Sequence, residues 1–176
     1  MPILLAVLGL LAGGYFWMNR ARDAAGMVDE IADAAQSALG AARRFGFRKQ
    51  ANRHAVDCIE EPDLAACALT VAFLELDGMP TLEQKQTILV GLQSGLGLSK
   101  ADTEEMMVLG NWLVQECNGA QAAVQRLAKR LYKMSGADGL AGTATAIQHY
   151  IKNSPDEISD RQSEALDDMK RIFRRA

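Results

Sequence analysis

The residues best placed to do chemistry lie in FLELDGMPTLEQKQ, residues 73 to 86, where Glu75, Asp77 and Glu83 surround an Asp77-Gly78 turn and Pro80. Carboxylates grouped this way are hard oxygen donors, of the kind that suits calcium or magnesium. The pattern is not a calcium loop, which needs acids at alternating positions and a closing glutamate where Gln84 stands. Turn chemistry at Asp77-Gly78 and the dipole of a helix opening near Glu83 account for the same residues without any ligand. A third reading is an acidic corner that docks another protein.

The remaining reactive side chains are sparse. Cys58, Cys67 and Cys117 have no CxxC spacing, and His54 and His149 stand far apart in sequence, so no zinc site is expected. The cysteines read as reduced, small apolar packing residues. There is no P-loop and no G-x-G-x-x-G, and the GLAG stretch at 139 to 142 lacks the strand that a phosphate loop requires. The expectation is a protein that is not an enzyme, with no cofactor beyond calcium or magnesium.

These residues must be positioned by helices. Apolar residues make up 49% of the chain and aromatics 6%, with Ala and Leu prominent, which predicts an all-α fold. Residues 62 to 77 open on Pro62 and are apolar on nearly every face, as a helix at the centre of a bundle would be. Thr81 and Gln84 form a capping-box pattern for a second helix carrying Leu82, Ile88, Leu89 and Leu92. Ser99 with Asp102 caps a third, which Asn118-Gly119 ends; a fourth carries Val124, Leu127 and Leu131, and a fifth Ile147, Tyr150 and Ile151. Ser154-Pro155-Asp156-Glu157 predicts the start of the last helix. No segment alternates with period two over strand length. Residues 55 to 176 therefore read as a bundle of about six helices, with Met106, Met107, Met134 and Met169 as core fillers.

Ahead of it, PILLAVLGLLAGGYFWM, residues 2 to 18, is uncharged and spans roughly 25 Å as a helix, enough to cross a thin bilayer. Tyr15, Phe16 and Trp17 followed by Arg20 and Arg22 fit the exit into the interface, and the positive-inside bias puts the amino terminus outside. In a bacterium this predicts a single-pass inner-membrane protein with a cytoplasmic domain. Gly9 and Gly13 form a G-x-x-x-G pair, which predicts a homodimer or docking on another membrane helix. Residues 19 to 54 read as a stalk helix and basic linker. Within it Arg43, Arg44, Phe45, Phe47, Arg48 and Lys49 combine charge with aromatic rings suited to anionic headgroups, although a solvated linker fits equally. Residues 55 to 176 hold 12 basic and 18 acidic side chains, and no Lys/Arg-dense face is evident, so nucleic acid is not expected as a partner.

An apolar helix ending in ELDG, then Thr-x-Glu, a second amphipathic helix and LGLSKADTEEM leading into a third resemble a TerB-like domain over residues 58 to 135; residues 136 to 176 match only by helix count. The resemblance implies an all-helical bundle and divalent-cation binding near the turn, carried over to Glu75, Asp77 and Glu83, with Asp102, Glu104 and Glu105 approaching from the third helix. TerB-like domains also follow a membrane helix in the DjlA-type co-chaperones, but no HPD motif of a J-domain occurs here. The expected function is a membrane-anchored interaction module in envelope or tellurite-type stress or in membrane-complex assembly. The alternatives are an accessory subunit docked through its membrane helix and a divalent-cation sensor.

Overall fold

The computed structural model describes residues 52–154 and 157–174. The membrane segment at 2 to 18, Gly9, Gly13, most of the stalk and the linker residues Arg43, Arg44, Phe45, Phe47, Arg48 and Lys49 lie outside them. Among the described residues no helix is long and apolar enough to cross a membrane.

The described chain is all-helical, with no strand. Six α-helices follow one another: α1 (Pro62–Leu74), α2 (Leu82–Leu96), α3 (Lys100–Glu116), α4 (Ala120–Ser135), α5 (Ala141–Asn153) and α6 (Asp160–Arg174). Short 3-10 turns cover Ala55–Cys58, Glu75–Asp77 and Gly136–Leu140. Every residue of α1 from Leu64 to Leu74 is buried, because α3 and α4 pack along it and α2, α5 and α6 close the remaining sides. Its alanines allow this. A Cβ added to Gly110 of α3 would stand 3.1 Å from the Cα of Ala68, so the two backbones nearly touch.

Local signals set most boundaries. Thr81 and Gln84 make both bonds of the capping box, Thr81 N–H to Gln84 Oε1 at 2.9 Å and Gln84 N–H to Thr81 Oγ1 at 3.2 Å. The Ser99 hydroxyl oxygen accepts from the Asp102 N–H at 3.1 Å, as expected for α3. Asn118 and Gly119 take positive φ, 61° and 115°, and turn the chain from α3 into α4.

The start of α6 differs from the expectation at Ser154-Pro155. Ser159 caps it instead: its hydroxyl oxygen accepts from the Gln162 N–H at 3.1 Å, and its own N–H donates to Gln162 Oε1 at 3.3 Å. Ser154 closes α5. Both serines carry the capping-box spacing, Ser154 to Glu157 and Ser159 to Gln162, so the local pattern does not choose between them. Leu82 also departs from the predicted core. It occupies the first turn of α2, ahead of the point where that helix reaches the bundle, and is 72% exposed, whereas Ile88 and Leu92 are buried.

The most extensive helix pair is α2 on α5. Here Gly91 and Gly95 face Ala146 and Gly142, small residues spaced one turn apart on both helices. A Cβ on Gly91 would lie 2.8 Å from the Ala146 carbonyl oxygen, and one on Gly95 would strike the carbonyl oxygen of Gly142. Across the core, the Thr143 hydroxyl of α5 donates to the Ala66 carbonyl of α1 at 3.3 Å, beside the bond that the Thr70 hydroxyl makes to the same oxygen at 2.8 Å.

Candidate functional site

The acidic turn is built where α1 tightens into the 3-10 turn Glu75–Asp77. Gly78, at φ 112°, then reverses the chain. Its carboxylates diverge. Glu75 Oε1 accepts from Asn111 Nδ2 of α3 at 3.0 Å. Asp77 Oδ1 accepts from the hydroxyl of Ser159 at 2.7 Å, and Arg161 donates to the Leu76 carbonyl at 3.4 Å, so the start of α6 clasps the turn. Glu83 stands exposed in the first turn of α2, where its charge complements the helix dipole. Of the acids expected from α3, Asp102 accepts from the Ser99 hydroxyl and Glu104 pairs with Lys100 at 3.8 Å. Among the described residues no group of three or more His, Cys, Asp or Glu side chains is arranged to hold a metal ion. The turn's acids tie helices together; sequence reasoning missed Asn111, Ser159 and Arg161 because all three come from distant segments.

Two predictions arise at this turn. Asp77→Ala and Ser159→Ala should show a coupling of about 1 kcal/mol in a double-mutant cycle of urea unfolding, since each removes one side of a single hydrogen bond to a charged acceptor at an accessible site. Burial pushes the Glu75 carboxyl above the ordinary glutamate range, and the Lys85 ammonium opposes the shift. A carboxyl whose folded pKa exceeds its unfolded one favours the folded state while protonated. That contribution is lost as pH rises through the folded pKa. Glu75→Gln keeps an acceptor for Asn111 and cannot ionise. It should be more stable than the parent at neutral pH, and the advantage should vanish below the usual carboxylate range. Thermal melts at the two pH values check the sign.

The thiols are all free and buried. Burial and the Asp63 carboxylate drive the Cys67 thiol far up, and burial raises Cys117 against the opposing pull of Arg126, so both stay protonated at neutral pH. His54 caps the first 3-10 turn, its Nδ1 accepting from the Val56 N–H at 3.3 Å.

Among the described residues, two concavities bear charged side chains. One, of about 310 Å³, lies where α1, α2, α4 and α5 meet and carries the half-buried Asp63 and the exposed Asp138. The other, of about 580 Å³, runs along α4 and is lined by Arg53, Arg126, Lys129, Arg130 and Lys133, with Asp57 as its acidic residue. No acid occurs anywhere in α4. Arg126 pairs with Asp57 at 3.7 Å, Arg53 donates to the Asp57 carbonyl at 2.7 Å, and Arg130 fastens its guanidinium on the Ile59 carbonyl through Nε at 2.9 Å and a second nitrogen. Lys129 and Lys133, one turn apart, are exposed above them. A Lys/Arg-dense face therefore exists, contrary to the premise on which nucleic acid was set aside; a net charge summed over the domain averages it away.

Among the described residues, the largest apolar exposure lies at the opposite kind of surface. Met79 is 93% exposed, and with Leu82 it flanks Pro80 and Thr81 between Asp77 and Glu83.

Comparison with family models, with curated proteins and with solved structures returns no match.

Proposed function

We propose that this chain is a membrane-tethered, non-catalytic interaction module that holds a helical domain at the cytoplasmic face of a bacterial inner membrane. The observation that carries the docking role is the pairing of Met79 and Leu82, exposed large apolar side chains that follow a turn tied to Asn111 of α3 and to Ser159 at the start of α6. An apolar knob flanked by Asp77 and Glu83 suits a protein pocket whose floor is apolar and whose rim is basic. The uncharged run at 2 to 18 supports the tether, which raises the effective concentration of the domain for partners in the same membrane. The likeness of ELDG, Thr-x-Glu and LGLSKADTEEM to TerB-like domains supports a stress-linked adaptor. The Gly9/Gly13 spacing favours a second reading, an accessory subunit docked by its membrane helix. A cation role has less support, because Glu75 and Asp77 are occupied by Asn111 and Ser159.

The test is alkaline carbonate extraction of native membranes holding the carboxyl-terminally tagged chain, followed by mild-detergent purification and quantification of companions. Retention in the pellet, with companion recovery reduced by Met79→Ser/Leu82→Ser, supports the module. A companion held at fixed ratio through purification and lost on Gly13→Ile selects the accessory subunit. Release by carbonate overturns the tether, and companion recovery indifferent to the Met79/Leu82 pair overturns the docking knob.

A further inference from the structure

We propose that the groove along α4 seats anionic phospholipid headgroups, so that the domain rests on the bilayer by one defined face; this deepens the tethered reading and rests on it for the source of the lipid. The first support is charge. Residues 55 to 176 are acidic in sum, yet Arg53, Arg126, Lys129, Arg130 and Lys133 converge on one concavity with Asp57 as its acidic lining residue. An acidic surface repels the rest of such a domain and attracts this face, so charge alone selects the orientation.

The second support is the way the groove is held. Arg130 is fastened to the Ile59 carbonyl, and Arg126 and Arg53 both turn to Asp57, so the three guanidinium groups line the floor. Lys129 and Lys133 stand free of the floor, both exposed, at the spacing that puts side chains on one helix face. Two flexible ammonium groups above a guanidinium floor suit a mobile phosphate better than a single rigid ligand. The third support is continuity. Arg53 lines the groove, and the sequence leading to it carries Arg43, Arg44, Arg48 and Lys49 with Phe45 and Phe47, so the chain enters the domain at its basic face. A nucleic acid is favoured less, because the lysines and arginines of α4 cover barely two helical turns, about 11 Å, and the acidic flanks would meet the remaining phosphates.

The experiment uses the full chain in vesicles of phosphatidylcholine alone or with added phosphatidylglycerol, acylated briefly with a water-soluble amine reagent and read by mass spectrometry at each lysine. Lys85, on α2, is the internal reference, since it does not line the groove. Modification of Lys129 and Lys133 relative to Lys85 should fall about fivefold in the acidic vesicles, the factor of one favourable contact with an anionic surface. It should recover in 1 M salt, where screening acts within about 3 Å. Equal modification in both vesicles overturns the proposal. Equal protection in neutral vesicles by an RNA duplex or by millimolar inorganic phosphate overturns it in favour of that ligand. Carbonate extraction of the same vesicles scores the tether separately: a chain that resists extraction while its lysines ignore lipid charge retains the tether and loses the headgroup site, and a chain that is stripped yet protected in acidic vesicles does the reverse.

Discussion

Gly95→Leu should lower the unfolding midpoint of the chain by roughly 10 °C, on the basis of a loss of about 3 kcal/mol or more from overpacking and a few degrees per kcal/mol for a domain of this size. The reason is geometric. Even a single Cβ at position 95 meets the Gly142 carbonyl oxygen, and that oxygen belongs to the backbone of α5, which has no rotamer by which to withdraw. The helices must separate, and separation also opens the contact of Gly91 with Ala146 one turn along. Ser94→Leu supplies the control: the same side chain, on the same helix, at an exposed position. It should change stability by no more than about 0.5 kcal/mol. Thermal melts of both variants, followed by helical circular dichroism in mild detergent, decide the matter; equal melting would mean that α2 and α5 adjust at little cost.

Phe73→Ala should cost about 3 to 5 kcal/mol, a large share of the roughly 5 to 15 kcal/mol that separates a folded domain from its unfolded chain. Phe73 is fully buried in the last turns of α1 and meets the ring of Tyr150 edge to face, with centroids 6.4 Å apart and an interplanar angle of 85°. Truncation removes both the transferred apolar surface and the partner of a tyrosine on α5. The surrounding elements cannot collapse into the gap, since α1 is already in backbone contact with α3 at Gly110. Phe73→Leu, which keeps most of the volume, should cost about 1.5 kcal/mol or less. Urea unfolding with an unchanged slope and a shifted midpoint is the expected signature, and a midpoint for Phe73→Ala close to that of the leucine variant would contradict it.

What could be read from the sequence was local. Thr81 with Gln84, Ser99 with Asp102, and Asn118-Gly119 announce helix ends through bonds made within a few residues, and those ends fall where expected. The central position of α1 was legible for a similar reason, because its own composition leaves no polar face to expose. Pairwise facts were not legible. Gly91 and Gly95 share the G-x-x-x-G spacing of Gly9 and Gly13, but owe their role to Gly142 and Ala146, which only the packed structure brings opposite. Leu82 matched a helical apolar stripe, but a stripe does not say where the neighbouring helix stops. The same limit applied to the candidate site. Glu75, Asp77 and Glu83 looked like one cluster along the chain, and separate partners, Asn111 and Ser159, pull the first two apart. The basic groove stayed hidden because Arg53 and Asp57 come from the segment before α1, while the lysines come from α4.

The burial of α1 on every side also has a history in time. It is the first α-helix of the described domain to leave the ribosome, and the helices that cover it follow over about the next 100 residues, through α6. At ordinary elongation rates that interval is on the order of 10 s. Until α3 and α4 have emerged, a rod with no polar face has little of its own domain to pack against. The growing chain must therefore shield that rod by other means for some seconds, as a bound chaperone would.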